Sequence, residues 1–353
     1  MRSFLRVWRS NGFRVRSFPC VSTKRRRGIC RERSFVGKGE CDRLELSRPV
    51  VCIVGPTASG KTDVGQLVAS ALDGEVVSAD SMQIYRGMDI GTGKLPVPER
   101  VVPHWGFDIV DPGEAYSASL FQEYARECFS DIDARGKRAV LVGGTGFYVR
   151  AAIDDYRFPQ GEQVDNPVRD RWNSFLEAHG SQALWTELNT RDPESAQLIH
   201  PNNAKRVLRA LEMLELDGVS YARQHEGLAT IAQYVPAAFF GLAVDPEILK
   251  RRIDHRVDMM VESGLVDEVK RLIDAGFESA CTARDAIGYK EIVAALRGEC
   301  SLEDAIEAIK LATRRYAKRQ RTWWRGDARI TWINADDGDV RRVADSIVQM
   351  INA

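Results

Sequence analysis

The chain has 353 residues, 44% of them hydrophobic and 28% charged, with 50 Lys and Arg against 50 Asp and Glu. That length can bury a substantial core in one or two lobes, and no apolar run approaches the roughly 18 residues of a membrane span. Seven scattered cysteines without a Cys-x-x-Cys pair argue against a zinc or disulfide framework and suit a reducing compartment.

The neutral total conceals an asymmetry. Residues 1–31 hold ten Lys or Arg and no acid, leaving 40 basic against 50 acidic residues in the rest. Any nucleic acid must therefore be met by local basic patches rather than by overall charge. The head itself, residues 1–48, reads as a disordered basic extension broken by Pro19 and Gly28. An organellar transit peptide and a nucleic-acid arm built on Lys24–Arg27 are the alternatives.

The apolar run Val50–Val54 predicts a buried strand, and Lys61–Leu72 a helix with Val64, Leu67, Val68 and Leu72 on one face. Between them Gly55, Pro56, Thr57, Ala58, Ser59, Gly60, Lys61 and Thr62 form a phosphate-binding loop. Its glycines let N–H groups turn toward phosphate oxygens, and the helix N-terminus adds partial positive charge. Lys61 suits the outer phosphate and the Thr62 hydroxyl suits Mg²⁺. Ligand-free Gly-rich turns exist, but strand, spacing, Lys and Thr together favour a di- or triphosphate.

A second strand at 75–78 leads into Ala79–Tyr85. A strand end is where doubly wound folds place ligands. Asp80 there suits a general base, a Mg²⁺ ligand or a simple turn cap, and Ser81 and Gln83 suit a polar substrate edge. Gly87–Lys94 reads as a Gly-rich surface loop able to act as a lid, and His104 as structural. Beyond a helix at 117–135, a strand at 138–142 runs into Gly143–Gly146. Residues 156–234 then turn wholly helical, opening on the polar stretch Phe158–Pro167, with Trp172, Phe175 and Trp185 filling their own core.

Strands at 238–243 and 328–333 and helices at 246–274, 285–297, 302–324 and 338–352 complete the pattern. The fold class is α/β: a P-loop NTPase-like parallel sheet with helices on both faces and an inserted all-helical subdomain at 156–234, between core parts 49–155 and 235–353. A phosphate loop alone leaves kinases, GTPases, ATPases and transferases open. No Asn-Lys-x-Asp base-recognition motif and no motor-type metal-binding Asp after 138–142 is present. A small-molecule kinase and a nucleic-acid-binding switch remain as rivals.

Taken in order, GPTASGKT, SADSMQIYRGMDIGTGK, PHWGFDIVDP, YSASLFQ, LVGGTGFY, IHPNNAKRVLRALE, TARDAIGYKE and TRRYAKRQRTWWR resemble the tRNA dimethylallyltransferases over about residues 49–335. With no Cys/His pairs near Ala353, the chain is similar to the bacterial form rather than to the zinc-finger-bearing eukaryotic one. The resemblance implies transfer of a dimethylallyl group from dimethylallyl diphosphate to N6 of the adenosine 3′-adjacent to the anticodon of tRNA, by a cytoplasmic monomer not bound to membrane, or an organellar one if the head is a transit peptide. It implies that the phosphate loop holds the diphosphate, that Thr62 and Mg²⁺ neutralise the leaving pyrophosphate, and that Asp80 takes the amine proton. Arg314 and Arg319, from the basic stripe 313–325, are implied to lean toward the diphosphate. For tRNA it implies Asp80, Ser81, Met82, Gln83, Thr145, Arg169, the turn Lys205, Arg206, Val207, Leu208, Arg209, and Arg284, Gly288 and Tyr289.

Overall fold

The computed structural model describes residues 43–158, 166–227, 231–277 and 282–353. Residues 1–42 lie outside these, as does most of the polar stretch at 158–167.

Six parallel strands form one sheet. They are β1 Val50–Val54, β2 Gly74–Ser78, β3 His104–Trp105, β4 Arg138–Gly143, β5 Ala237–Ala243 and β6 Ile330–Asn334. Their order is β3-β2-β4-β1-β5-β6. All five residues of β1 are buried because β4 and β5 pair with it on either side, as expected for an apolar central strand of a parallel sheet.

One face of the sheet is covered by α2 (Ala118–Ala134) and α3 (Gly146–Ile153), which pack Phe121, Phe129, Val149 and Ile153 on Cys52, Leu141 and Phe239. The other is covered by α1 (Lys61–Ala71), α8 (Pro246–Glu262) and α12 (Val340–Asn352), through Val64, Val68, Leu249, Ile253, Val343 and Ile347. Neither β3 nor α3 was anticipated from the sequence. β3 is two residues long, and α3 starts inside what read as a glycine loop.

The helix expected over 246–274 is two. After α8 the chain turns at Gly264, whose φ of 100° is left-handed, and α9 runs Leu265–Asp274. The helix expected at 285–297 is shorter: a 3₁₀ turn at Ala283–Asp285 precedes α10, Tyr289–Leu296. α11, Leu302–Arg325, carries the basic stripe.

Between α3 and β5 lie α4 (Pro167–Arg191, kinked at Gly180), α5 (Pro193–Leu198), α6 (Ala204–Asp217) and α7 (Tyr221–Gly227). They bury Trp172, Leu184, Leu188, Val207 and Leu211, with Phe175 and Trp185 against them. A buried Glu212 ties the ends together, accepting from Asn166 (2.8 Å), Arg169 (2.7 Å) and Arg209 (3.0 Å); a buried carboxylate requires such partners.

At the chain's other boundary, Leu44 and Leu46, which the sequence reading leaves with the basic extension, pack on the core beneath β1. Among the described residues no helix is long and apolar enough to cross a membrane.

Candidate active site

Three loops meet at the C-terminal edge of the sheet: the phosphate loop after β1, Ala79–Met82 after β2, and Gly144–Thr145 after β4. β4 sits between β1 and β2, so these ends adjoin at the topological switch, where open α/β sheets take ligands. The phosphate loop is held in a concave turn, with Gly60 at φ 87° and Ala58 at φ 61°. A left-handed Ala is strained, and such strain gathers at ligand cradles. Lys61 Nζ donates to Pro56 O at 3.1 Å, closing the loop on itself.

Two hollows open from this loop. A cleft of about 880 Å³ is lined by Gly60, Lys61, Thr62, Asp89, Lys94 and Arg256. A recess of about 40 Å³ behind it is lined by Thr57, Lys61, Thr62, Asp80, His104 and Arg256. Burial pushes the Lys61 amine down to about 8, with Arg256 adding to the shift and the Asp80 carboxylate opposing it. Burial also lowers Arg256, against the pull of Asp80 and Asp63. In the recess Lys61 and Arg256 meet one carboxylate, Asp80, a balance that favours an anionic group such as a diphosphate, while the wider cleft is of mixed charge, with Asp63, Asp89, Glu99 and Asp108 also in its lining.

Arg256 is the residue that sequence reasoning missed. The signal was present: it stands three residues after Ile253 and one before Val257, both buried, so it interrupts an apolar stripe where an arginine needs a partner. Arg314, by contrast, commits its guanidinium to Asp254 at 2.7 Å, and the two hollows are lined by Arg256 instead. Arg319 is exposed on α11 and lies over the Tyr316 ring at 5.7 Å.

Asp80 Oδ1 accepts the Met82 N–H at 3.0 Å, a turn that fixes its side chain. Beside it, Thr145 Oγ1 accepts the Ser81 N–H at 3.2 Å. Tyr316 reaches the same place from α11, and its hydroxyl is pushed up to about 12 by burial and by Asp80. Thr62 and Asp80 face one recess, and among the described residues no three His, Cys, Asp or Glu side chains gather to hold a metal. One hydroxyl next to one carboxylate fits Mg²⁺, which keeps most of its water and binds phosphate oxygens, better than an all-protein metal cage.

Several expected contacts are spent inside the protein. Gln83 is buried, accepting from Ser78 Oγ (2.8 Å) and donating to Thr92 O (3.2 Å), while it also lines the recess beside Asp80. Met82 packs against the cluster around Tyr85 and Tyr289. Tyr289 is fully buried, donating to Glu268 at 2.6 Å. Val207 and Leu208 turn into the helical core because α6 buries that face. Arg169 holds Glu212.

Gly87–Lys94 is no loose lid. Glu268 accepts N–H groups of Asp89, Ile90 and Gly91, and buried Lys94 binds Tyr85 O, Asp89 and Asp108 at 2.6–2.9 Å. His104 gives Nδ1 to Val102 O (2.8 Å) and stacks on Phe107, and it also lines the recess that holds Asp80.

Lys205, Arg206 and Arg284 remain exposed. Lys205 lies 3.5 Å from Asp285, so the basic end of α6 adjoins the Ala283–Gly288 turn. The two segments singled out for RNA share one surface.

The sequence profile of the IPP transferase family matches residues 83–327. The chain belongs to that family. A tRNA dimethylallyltransferase of Desulforudis audaxviator is 43% identical over 87% of this IPP transferase and 100% of its own length. Among solved structures, a full-length tRNA isopentenylpyrophosphate transferase from Bacillus halodurans superposes with TM-score 0.63 at 42% identity, over 87% of this chain and 96% of that one. A eukaryotic dimethylallyltransferase captured acting on tRNA superposes with TM-score 0.70 at 31% identity, over 82% and 75%.

Proposed function

We propose that this IPP transferase moves the dimethylallyl group from dimethylallyl diphosphate to N6 of the adenosine 3′-adjacent to the anticodon in tRNA, releasing pyrophosphate. The observation that carries the reading is the meeting of a phosphate cradle, a fixed carboxylate and the Thr145 loop at one sheet edge, in a chain of this family.

The diphosphate lies on the phosphate loop, its charge met by Lys61 and Arg256, with Thr62 placed to hold Mg²⁺. That ion supplies charge neutralisation at the leaving group. The N6 lone pair bonds to the allylic carbon as the carbon–oxygen bond breaks, the electron pair leaving with pyrophosphate. Asp80 accepts the proton that the nitrogen sheds, a step contributing about 10²–10⁴ in rate. Holding the weakly nucleophilic amine in line matters comparably. The target adenosine leaves its stack to reach the recess, and Lys205, Arg206 and Arg284 take tRNA phosphates on the shared surface. A cytoplasmic monomer fits a site built within one chain and a tRNA substrate.

The test follows pyrophosphate release from the purified protein given dimethylallyl diphosphate, with unmodified tRNA or without it, and ATP in place of the prenyl donor. Release requires both tRNA and the prenyl diphosphate. Turnover of ATP with a small acceptor and none of the prenyl donor favours the kinase alternative.

A further inference from the structure

Gln320 joins the two loops that hold opposite ends of the reaction. Its side chain, on α11, is 5% exposed. Oε1 accepts the Thr57 N–H of the phosphate loop at 2.8 Å, and Nε2 donates to Gly144 O at 3.0 Å. Gly144 permits the approach, since a Cβ there would lie 2.2 Å from Nε2. Next to Gly144, Thr145 Oγ1 accepts the N–H of Ser81, the neighbour of Asp80. The Gln320 amide and the adjoining Thr145 hydroxyl thus link the phosphate loop to the residue beside the proposed base. A buried amide costs free energy unless both ends are bonded. Here both ends are bonded, each to a different loop far off in sequence.

The geometry points to Gln320 as a positioning residue that sets the separation between the diphosphate cradle and the Gly144–Asp80 side of the site. It touches neither leaving group nor amine. It keeps the allylic carbon, fixed through the phosphate loop, in line with a nitrogen held near Asp80 and Thr145. A misplacement of about 1 Å in such a near-attack arrangement can cost about 10²-fold in rate. The engaged Thr57 N–H is also withdrawn from the cradle, so phosphate oxygens are left to the loop beyond it. This inference rests on the reaction proposed above.

Gln320→Glu tests it, because Glu keeps the acceptor for Thr57 but sets an oxygen against Gly144 O. Single-turnover rate should fall about 10²-fold, while the Kd of dimethylallyl S-thiolodiphosphate and the KM for tRNA stay within about threefold. A rate per active site equal to the parent, with only Tm or active fraction reduced, reduces Gln320 to packing and overturns the proposal.

Hydrogen exchange separates this failure from failure of the reaction. Inorganic pyrophosphate should slow exchange of the Thr145–Phe147 amides in the parent protein and not in Gln320→Glu, whether or not tRNA is prenylated. No slowing in the parent overturns the strut even where transfer is normal.

Discussion

Lys61, Arg256 and Asp80 share one recess, and their charges bias what it binds. Removing the proton acceptor while keeping its shape, as in Asp80→Asn, should lower turnover by about 10²–10³-fold with little change in tRNA affinity; single-turnover kinetics with tRNA titration checks both. Lys61 works at a cost to stability. Burial lowers it from its ordinary value to about 8, so the fold disfavours the protonated amine. That cost is present in full below about 8 and disappears as pH rises into the lysine's ordinary range. Lys61→Met should therefore be more thermally stable than the parent near pH 7, with the gap closing as pH rises, read from Tm across pH. It should also weaken dimethylallyl diphosphate by about 1.5–3 kcal/mol, the worth of a charged hydrogen bond. Arg256→Ala should weaken the same ligand, while Arg314→Ala, which breaks a pair with Asp254, should act mainly on Tm; calorimetry with the diphosphate separates them.

Elements with a strong period were legible in the sequence. β1 and α1 emerge with the expected first residues, and the basic stripe lies on α11. What was not legible depended on tertiary pairing. Two-residue β3 exists because Val76 and Val77 offer it an edge, and Gly264 breaks 246–274 through a backbone angle that no periodicity displays. The same limit governs the site residues. The phosphate loop and Asp80 announce themselves by local pattern, whereas Tyr289 and Arg169 have ligand-like chemistry that the fold engages internally. On α6 this distinction shapes a prediction. Arg209 is bonded to Glu212, leaving Lys205 and Arg206 as the exposed cations. Lys205→Ala with Arg206→Ala should raise the tRNA KM and lower the log–log salt slope of binding by roughly 1.4–1.8, about 0.7–0.9 for each phosphate contact. The KM for the prenyl diphosphate should not move. An unchanged slope would assign α6 to solvent and leave the α11 stripe to hold the RNA.

At the scale of the whole molecule, the sheet order places β4 between β1 and β2, and this brings the phosphate loop, Asp80 and the Thr145 loop to one edge although Gly55 and Thr145 lie far apart in the chain. The helical insertion supplies the second half of the surface, its Lys205 beside Asp285 of the core. On the proposed reaction the diphosphate and RNA ends are built from separate parts of the chain. The most direct measurement is nucleoside analysis of unmodified tRNA after incubation with the protein, dimethylallyl diphosphate and Mg²⁺. The account predicts a dimethylallyl group on N6 of the adenosine immediately 3′ to the anticodon, absent when Asp80→Asn replaces the parent over the same interval. Unaltered tRNA from the active, folded parent protein, or a prenyl group on another nucleoside, would contradict it.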